Sequence, residues 1–316
     1  MASWNGDSKI GRLVGVSSVL LAFSMLSACG SDSGEASAEQ TEPTEQTTAW
    51  SDDVEAARAL LPADIAESGE LTMASNLAYA PYEFIDESGE PTGLDIDIMT
   101  RVAEILDLDL DVEQVEFASI IPALQNGRYD IGVNEMAVTE ERLEGASFVT
   151  YWKVELGVMA GPAAPVDWTD ADDICGRSVA ATSGSLNATV IEEAGKACEA
   201  EGKEAPELKL FKDAATNLLA LQNGRVEGYP SDKGSVVYQV SELGDDQIRV
   251  LDGVLPGSTQ MVGMAFNKEN DALGEALAAA VRIAIEDGSY QEAVEKWGLT
   301  SENGITADQV TVETGD

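Results

Sequence analysis

Ala123-Leu124-Gln125-Asn126-Gly127-Arg128 recurs unchanged as Ala220-Leu221-Gln222-Asn223-Gly224-Arg225. Apolar residues at helical spacing precede both copies: Ile120, Ile121 and Leu124 in one, Leu218, Leu219 and Leu221 in the other. A short strand-like run follows each, Tyr129-Asp130-Ile131-Gly132-Val133 and Val226-Glu227-Gly228-Tyr229. Glycine just past a helix supplies the left-handed position that closes it. Each copy therefore predicts a helix, a glycine stop and a strand. Two such units far apart in one chain predict two lobes of similar architecture, and they are too few and too distant for a solenoid. A ligand held between α/β lobes would meet the carboxyl ends of their strands. The alternative, chance recurrence of a common helix ending, does not explain the strand at the same offset both times.

Working outward, the flanking segments support alternating strands and helices. Strands are expected at 71–74, 110–115, 154–160, 178–181, 208–211, 248–251 and 261–266. Gly93 and Asp95 open an amphipathic helix with Ile96, Met99, Val102, Ala103 and Leu106 on one face. Further helices are expected at 186–201, 271–287 and 290–297, with a short lead-in helix or turn at 53–66. Strands alternating with helices define an α/β fold with largely parallel sheets.

The N-terminal segment carries targeting information. Lys9 and Arg12 precede an apolar run over residues 13–26, short for a bilayer span, which ends in Leu26-Ser27-Ala28-Cys29. Small residues directly before a cysteine resemble the lipobox of bacterial lipoproteins. That resemblance implies removal of residues 1–28 as a lipoprotein signal peptide and lipidation of Cys29. The alternative is an ordinary signal peptide with a chance cysteine. Residues 29–50 are polar and small, the composition of a flexible tether. The last stretch, 300–316, is also polar and expected to pack loosely.

Composition excludes several functions. The chain has 316 residues, 44% hydrophobic, with 58 acidic against 18 basic side chains and a net charge of −40. Nucleic acid requires a basic face, so it is not an expected partner. The same charge disfavours electrostatic binding to an anionic membrane and leaves anchoring to the lipid. No histidine is present, which excludes Ser-His and Cys-His nucleophile systems and removes the commonest metal ligand. No metal or cofactor is expected. Beyond Cys29 only Cys175 and Cys198 remain. In an exported chain these are expected to pair. The bridge would close a loop of about 24 residues and contribute on the order of 3 kcal/mol.

Six segments in order resemble the polar amino acid solute-binding proteins of ABC importers, solute-binding family 3. They are Tyr79-Ala80-Pro81-Tyr82-Glu83-Phe84; Gly93-Leu94-Asp95-Ile96-Asp97-Ile98; Ile121-Pro122 leading into the first hexapeptide and Tyr129-Asp130; Thr139-Glu140-Glu141-Arg142; Gly176-Arg177-Ser178-Val179-Ala180 with Ser183-Gly184-Ser185; and Asp287-Gly288-Ser289-Tyr290 with Lys296-Trp297-Gly298. The resemblance spans about residues 68–300. It implies a two-lobe, periplasmic-binding-protein-like fold with two hinge strands. Each lobe would be a mixed, mainly parallel sheet flanked by helices. Lobe one would be discontinuous, 51–160 and 261–316, and lobe two would be 161–260. The crossings would fall near Ala160 and Gln260.

The resemblance also implies a function: an extracytoplasmic, lipid-anchored and monomeric substrate-binding component, not an enzyme, that captures a small polar ligand, an amino acid above all, and delivers it to permease subunits. In the family the Arg of Thr-x-x-Arg, here Arg142, binds a ligand carboxylate, a task suited to its bidentate fork. Asp232 falls where the family places the carboxylate for the ligand ammonium; as a helix N-cap it would serve structure alone. Tyr79 and Phe117 match flanking aromatics. Thr182 and Ser185 belong to the turn before a helix N-terminus. Asn76, Asn134, Glu135, Ala137 and Leu186 occupy site positions where the chain departs from the family pattern. Glu135 is expected to meet a cationic ligand group or to pair with Arg142. Two alternatives accompany this expectation: a dehydratase-like cleft enzyme using Glu135 as acid or base, and an extracytoplasmic sensor.

Overall fold

The computed structural model describes residues 46–244, 248–299 and 303–315. The expected signal segment, Cys29 and most of the expected tether lie outside them. Helix α1 (Gln46–Arg58) begins within the stretch assigned to the tether. It is anchored by Ala57, which is fully buried against later helices.

After α2 (Ala63–Ser68) the chain enters β1 (Glu70–Ser75), then a three-stranded ribbon of β2 (Ala78–Tyr79), β3 (Glu83–Ile85) and β4 (Pro91–Thr92). Pro81 sits in the turn of this ribbon and leaves the ladder on either side intact. Helix α3 (Leu94–Leu106) buries Ile96, Met99, Val102, Ala103 and Leu106, the face expected from their spacing. It is followed by β5 (Asp109–Gln114), α4 (Ile120–Gln125), β6 (Ile131–Gly132) and the single turn α5 (Glu140–Leu143). Two consecutive strands follow, β7 (Ser147–Val154) and β8 (Leu156–Ala160). Then come β9 (Ser178–Thr182), α6 (Leu186–Ala200), β10 (Glu207–Phe211), α7 (Ala214–Gln222), β11 (Gly228–Asp232), α8 (Lys233–Leu243), β12 (Arg249–Val250) and β13 (Gln260–Phe266). The chain closes with α9 (Asp271–Glu286), α10 (Ser289–Lys296) and β14 (Val312–Glu313).

The two hexapeptides end their helices identically. Gly127 and Gly224 have φ of 62° and 64°. In each, the glycine N–H bonds to the leucine carbonyl three residues back, at 3.0 Å, and the following arginine N–H reaches the alanine carbonyl. Asn126 and Asn223 each donate to a carbonyl four residues back. The strand after each copy then takes an equivalent place. β6 pairs parallel with β1, and β11 pairs parallel with β9.

These units build two sheets. One runs β14-β7-β13-β6-β1-β5 and the other β10-β9-β11-β8-β12. Parallel pairing holds within the βαβ units, and the strands that run back between lobes add antiparallel ladders. Between β7 and β8 the chain passes from one sheet to the other at Glu155. The run 147–160 is too continuous in hydrophobicity to show a break, yet β7 belongs to the first sheet and β8 to the second. The return strand lies beside this crossing. Gln260 pairs with Val154, and Ser258 Oγ accepts the Leu156 N–H at 3.0 Å. β13 begins at Gln260.

The C-terminal stretch departs from the loose packing expected of it. Residues 303–315 dock on lobe one, with β14 pairing against β7. Ile305 and Val310 are 5% and 2% exposed. Arg282 and Lys268 donate to the Val310 and Gly315 carbonyls. Widely spaced apolar residues in a polar run anchor it, since backbone groups at a sheet edge supply the remaining bonds. Cys175 and Cys198 are disulfide-bonded, Cα atoms 5.7 Å apart, joining the approach to β9 with the far end of α6.

Candidate functional site

A cleft of about 560 Å³, its open mouth included, lies where the two sheets face each other. Lobe one contributes Asn76 and Tyr79 after β1, Phe117 after β5, Asn134, Glu135 and Ala137 after β6, Arg142 in α5, and Val154. Lobe two contributes Thr182 at the end of β9, Ser185, Leu186 and Asn187 entering α6, Asp213 and Ala214 entering α7, and Tyr229 in β11. Ten of the eleven expected ligand contacts therefore line one cleft. It lies at the carboxyl ends of parallel strands, where side chains from successive βα turns converge.

Arg142 is the cleft's cation. Thr139 caps the short helix α5 with its hydroxyl on the Arg142 N–H, which sets the direction of the side chain. The guanidinium donates to the Ala137 carbonyl at 2.6 Å and, across the cleft, to the Gly184 carbonyl at 3.1 Å. It also lies over the Phe117 ring, 5.4 Å from the centroid. An arginine has five N–H donors, so these contacts leave capacity for a carboxylate. Burial lowers its pKa to about 10, which keeps it charged at neutral pH.

Glu135 has a left-handed backbone, φ 42°. Its N–H donates to Asp95 Oδ2 at 2.9 Å, and Asp95 is fully buried at the start of α3. The fixed backbone sends the Glu135 side chain into the cleft, where Oε1 is buried without a hydrogen-bond partner. Burial pushes its carboxyl well above the usual carboxylate range. The charges of Asp232 and Asp95 push the same way, and Arg142 opposes them. Beneath it Glu83 is fully buried against Asp95, and burial, together with the charge of Asp95 and a hydrogen bond shared with it, holds its carboxyl well above its ordinary value.

Asp232 is the expected residue that does not line the cleft. It is fully buried at the start of α8. Its Oδ1 accepts the Tyr82 hydroxyl and the N–H groups of Gly234 and Ser235. The capping role is therefore realised. Tyr79 stands between Asp232 and the cleft, its hydroxyl accepting the Asp232 N–H at 3.0 Å and bonding Ser231 at 2.9 Å. Asp232 Oδ2 remains buried and unpartnered, and burial raises this carboxyl to about 6 against the opposing hydrogen bonds.

The remaining expected residues organise the walls. Asn134 Oδ1 accepts the Asn76 N–H at 2.6 Å, which fixes two departures from the family pattern on each other. Thr182 Oγ1 accepts from Asn217, and Ser185 caps α6. Asp213 was missed in the sequence. It caps α7 through the Thr216 N–H at 2.7 Å and pairs with Lys212 at 3.1 Å. The repeat carried the signal. Counting back equally from each hexapeptide sets Asp213 and Ala214 opposite Glu116 and Phe117, so a loop already expected in the site had a counterpart in the other lobe. Among the described residues no cluster of three or more acidic or sulfur ligands could hold a metal ion.

The family model for bacterial extracellular solute-binding proteins, family 3, matches residues 71–300. The arginine-binding protein ArgT of Corynebacterium glutamicum is 30% identical over 250 residues, 78% of this chain and 80% of that protein. ABC transporter arginine-binding protein 1 of Escherichia coli K12 is 26% identical over 224 residues, 69% of this chain and 86% of the relative. Among solved structures, an ancestral arginine-binding protein bound to arginine superposes with a TM-score of 0.65 at 25% identity, covering 72% of this chain and 98% of that one. Fold and cleft define a two-lobe extracytoplasmic binding protein. The chain belongs to the bacterial extracellular solute-binding proteins of family 3.

Proposed function

We propose that this chain is the substrate-binding component of an ABC importer and captures an amino acid between its lobes. The ligand carboxylate docks on Arg142, and closure brings groups of both lobes onto one small molecule. The observation that carries the proposal is Arg142, a half-buried cation at the mouth of two sheets that already bridges the lobes through Gly184. Relatives named as arginine-binding proteins support a ligand of amino acid type. The protein works as a monomer, passes its ligand to permease subunits and performs no catalysis. Cys29 carries a lipid that holds it at the outer face of the cell membrane. Among the described residues no helix is long and apolar enough to cross one.

Calorimetry of the full-length protein against a panel of amino acids tests the reading. Arg142→Ala leaves the ligand carboxylate unpaired in a desolvated site and should weaken binding by about 2–5 kcal/mol. Undiminished affinity in this variant, or no binding by any amino acid, refutes it. Mass spectrometry of the N-terminal peptide tests the anchor, and an unmodified Cys29 would remove it.

A further inference from the structure

Two stretches of the sequence, Tyr82-Glu83-Phe84 in β3 and Gly93-Leu94-Asp95 opening α3, meet beneath the cleft at a pair of carboxyls. The Asp95 N–H bonds the Tyr82 carbonyl at 2.9 Å, which holds the first turn of α3 against the ribbon and brings Glu83 and Asp95 together. Both are fully buried. Among the described residues no lysine or arginine pairs with either of them. The groups that face them are Glu135 from the loop after β6, the Tyr151 hydroxyl of β7 and, toward Asp95, Tyr290 of α10. Two carboxyls in contact, without water or a cation, do not both ionise, so the pair keeps one proton. The surroundings decide which residue holds it. Burial pushes the Asp95 carboxyl up, and three donors oppose this: the Glu83 carboxyl, the Glu135 N–H at 2.9 Å and the Tyr151 hydroxyl. A carboxylate that collects several donors is favoured in its charged form. For Glu83, burial, the charge of Asp95 and the bond shared with it all favour the neutral form.

We propose that Glu83 is a neutral carboxylic acid in the working protein and a positioning residue for the cleft: it donates its proton to Asp95, and Asp95, kept as an acceptor, fixes Glu135 through the Glu135 N–H. Glu135 needs such a hold. Its backbone is left-handed, φ 42°, a conformation that a residue with a side chain keeps only where its surroundings impose it. Asp95 Oδ2 is the acceptor that imposes it. Loss of the Glu83 proton would set a second charge beside Asp95 in a site without water. The pair would then part or take up water, and the loop carrying Glu135 would be released. The proton also removes one negative charge from beneath the cleft. That matters on the amino acid reading given above, because a ligand carboxylate has to reach Arg142 past Glu135.

The test uses the full-length protein without ligand, so its failure and that of the amino acid reading are distinguishable. Wild type is compared with Glu83→Gln and Asp95→Asn. Glutamine keeps the shape of Glu83 and a donor toward Asp95 but does not titrate. Infrared difference spectra of wild type and Glu83→Gln at neutral pH should show the carbonyl band of a protonated carboxyl in wild type alone. Stability supplies a second readout. In the unfolded chain Glu83 loses its proton near the ordinary value of 4.5, and in the folded protein it keeps it. Above that pH wild type should therefore lose stability relative to Glu83→Gln, the ratio of their folding constants falling by up to about tenfold per pH unit. By nuclear magnetic resonance the Glu135 amide should keep its position in Glu83→Gln and move in Asp95→Asn, which has one acceptor oxygen where Asp95 has two. Absence of the carboxyl band, stability curves that run parallel, or a Glu135 amide that stays put in Asp95→Asn overturns the inference. So does failure of Glu83→Gln to fold, since a neutral donor of the same shape is what the pair requires.

Discussion

Asp232 shows how one carboxylate can hold a helix and carry a strain of charge at once. Its Oδ1 caps α8, while burial raises its pKa from 3.8 to about 6. Between those values the folded protein keeps a proton that the unfolded chain has lost. The group therefore favours folding fully below pH 3.8, and that contribution disappears as the pH rises through about 6. Asp232→Asn keeps an oxygen for the cap and removes the titration. Thermal unfolding of the two proteins across this range should show the variant gaining on wild type as pH rises, by on the order of 3 kcal/mol in total. Parallel curves would show that Asp232 is not buried as a carboxylate. The residue's position at the end of the second repeat's strand was legible in the sequence. Its screening from the cleft was not, because that depends on Tyr79 and Tyr82, which come from the other lobe. Glu135 was the opposite case. An acidic residue where the family pattern has small hydroxyl or glycine residues stood out in the sequence, whereas the buried Asp95 that fixes its backbone is distant in the chain and looked like an ordinary helix-opening residue.

At the scale of elements, the entry to α3 depends on Gly93. It has φ 130°, and a Cβ there would lie 2.1 Å from the Tyr82 carbonyl oxygen and 2.5 Å from its carbon. This close approach lets the Leu94 and Asp95 N–H groups bond the Pro81 and Tyr82 carbonyls. Gly93→Ala must displace backbone that carries both Tyr82 and Asp95, and should cost on the order of 2–4 kcal/mol by chemical unfolding. A loss under 1 kcal/mol would show that the ribbon can shift freely. The disulfide gives a contrasting expectation. It lies at the far end of α6 from Ser185, about 20 Å of helix from the cleft. Replacing Cys175 and Cys198 by Ala should lower stability by about 3 kcal/mol and leave ligand affinity within about threefold. A large affinity loss would mean that α6 is positioned by its distal end. Helices and strands with a clear period were legible in the chain, and the hexapeptide located equivalent βα turns in both lobes. The passage at Glu155 and the docking of β14 were not legible. One interrupts a uniformly apolar run, and the other relies on backbone bonding that any sequence can supply.

For the whole molecule, the question is what holds the lobes together around an aqueous cleft. Besides Tyr79–Ser231, Tyr82–Asp232 and Arg142–Gly184, two contacts lie away from the ligand space. Ser235 Oγ and Gln239 Nε2, both on α8, donate to the Ala80 carbonyl of lobe one at 2.7 and 3.2 Å. Ser235 is fully buried and Gln239 is 8% exposed. In an open molecule water would satisfy that carbonyl. In the closed one, among the described residues, these two side chains do. Replacing both by Ala therefore charges its cost to the closed state alone, since a buried acceptor without a donor is unfavourable by about 1–3 kcal/mol. Neither residue lines the cleft, so contacts with the ligand stay intact. Apparent affinity scales with the fraction of molecules competent to close. The double variant Ser235→Ala, Gln239→Ala should therefore bind its best ligand about tenfold more weakly, chiefly through faster dissociation. Small-angle scattering should report a larger radius of gyration without ligand and a return to the wild-type value at saturation. An unchanged radius together with unchanged affinity would mean that α8 and Ala80 contribute nothing to closure. The cleft-lining groups Arg142 and Glu135 would then carry the closing equilibrium alone.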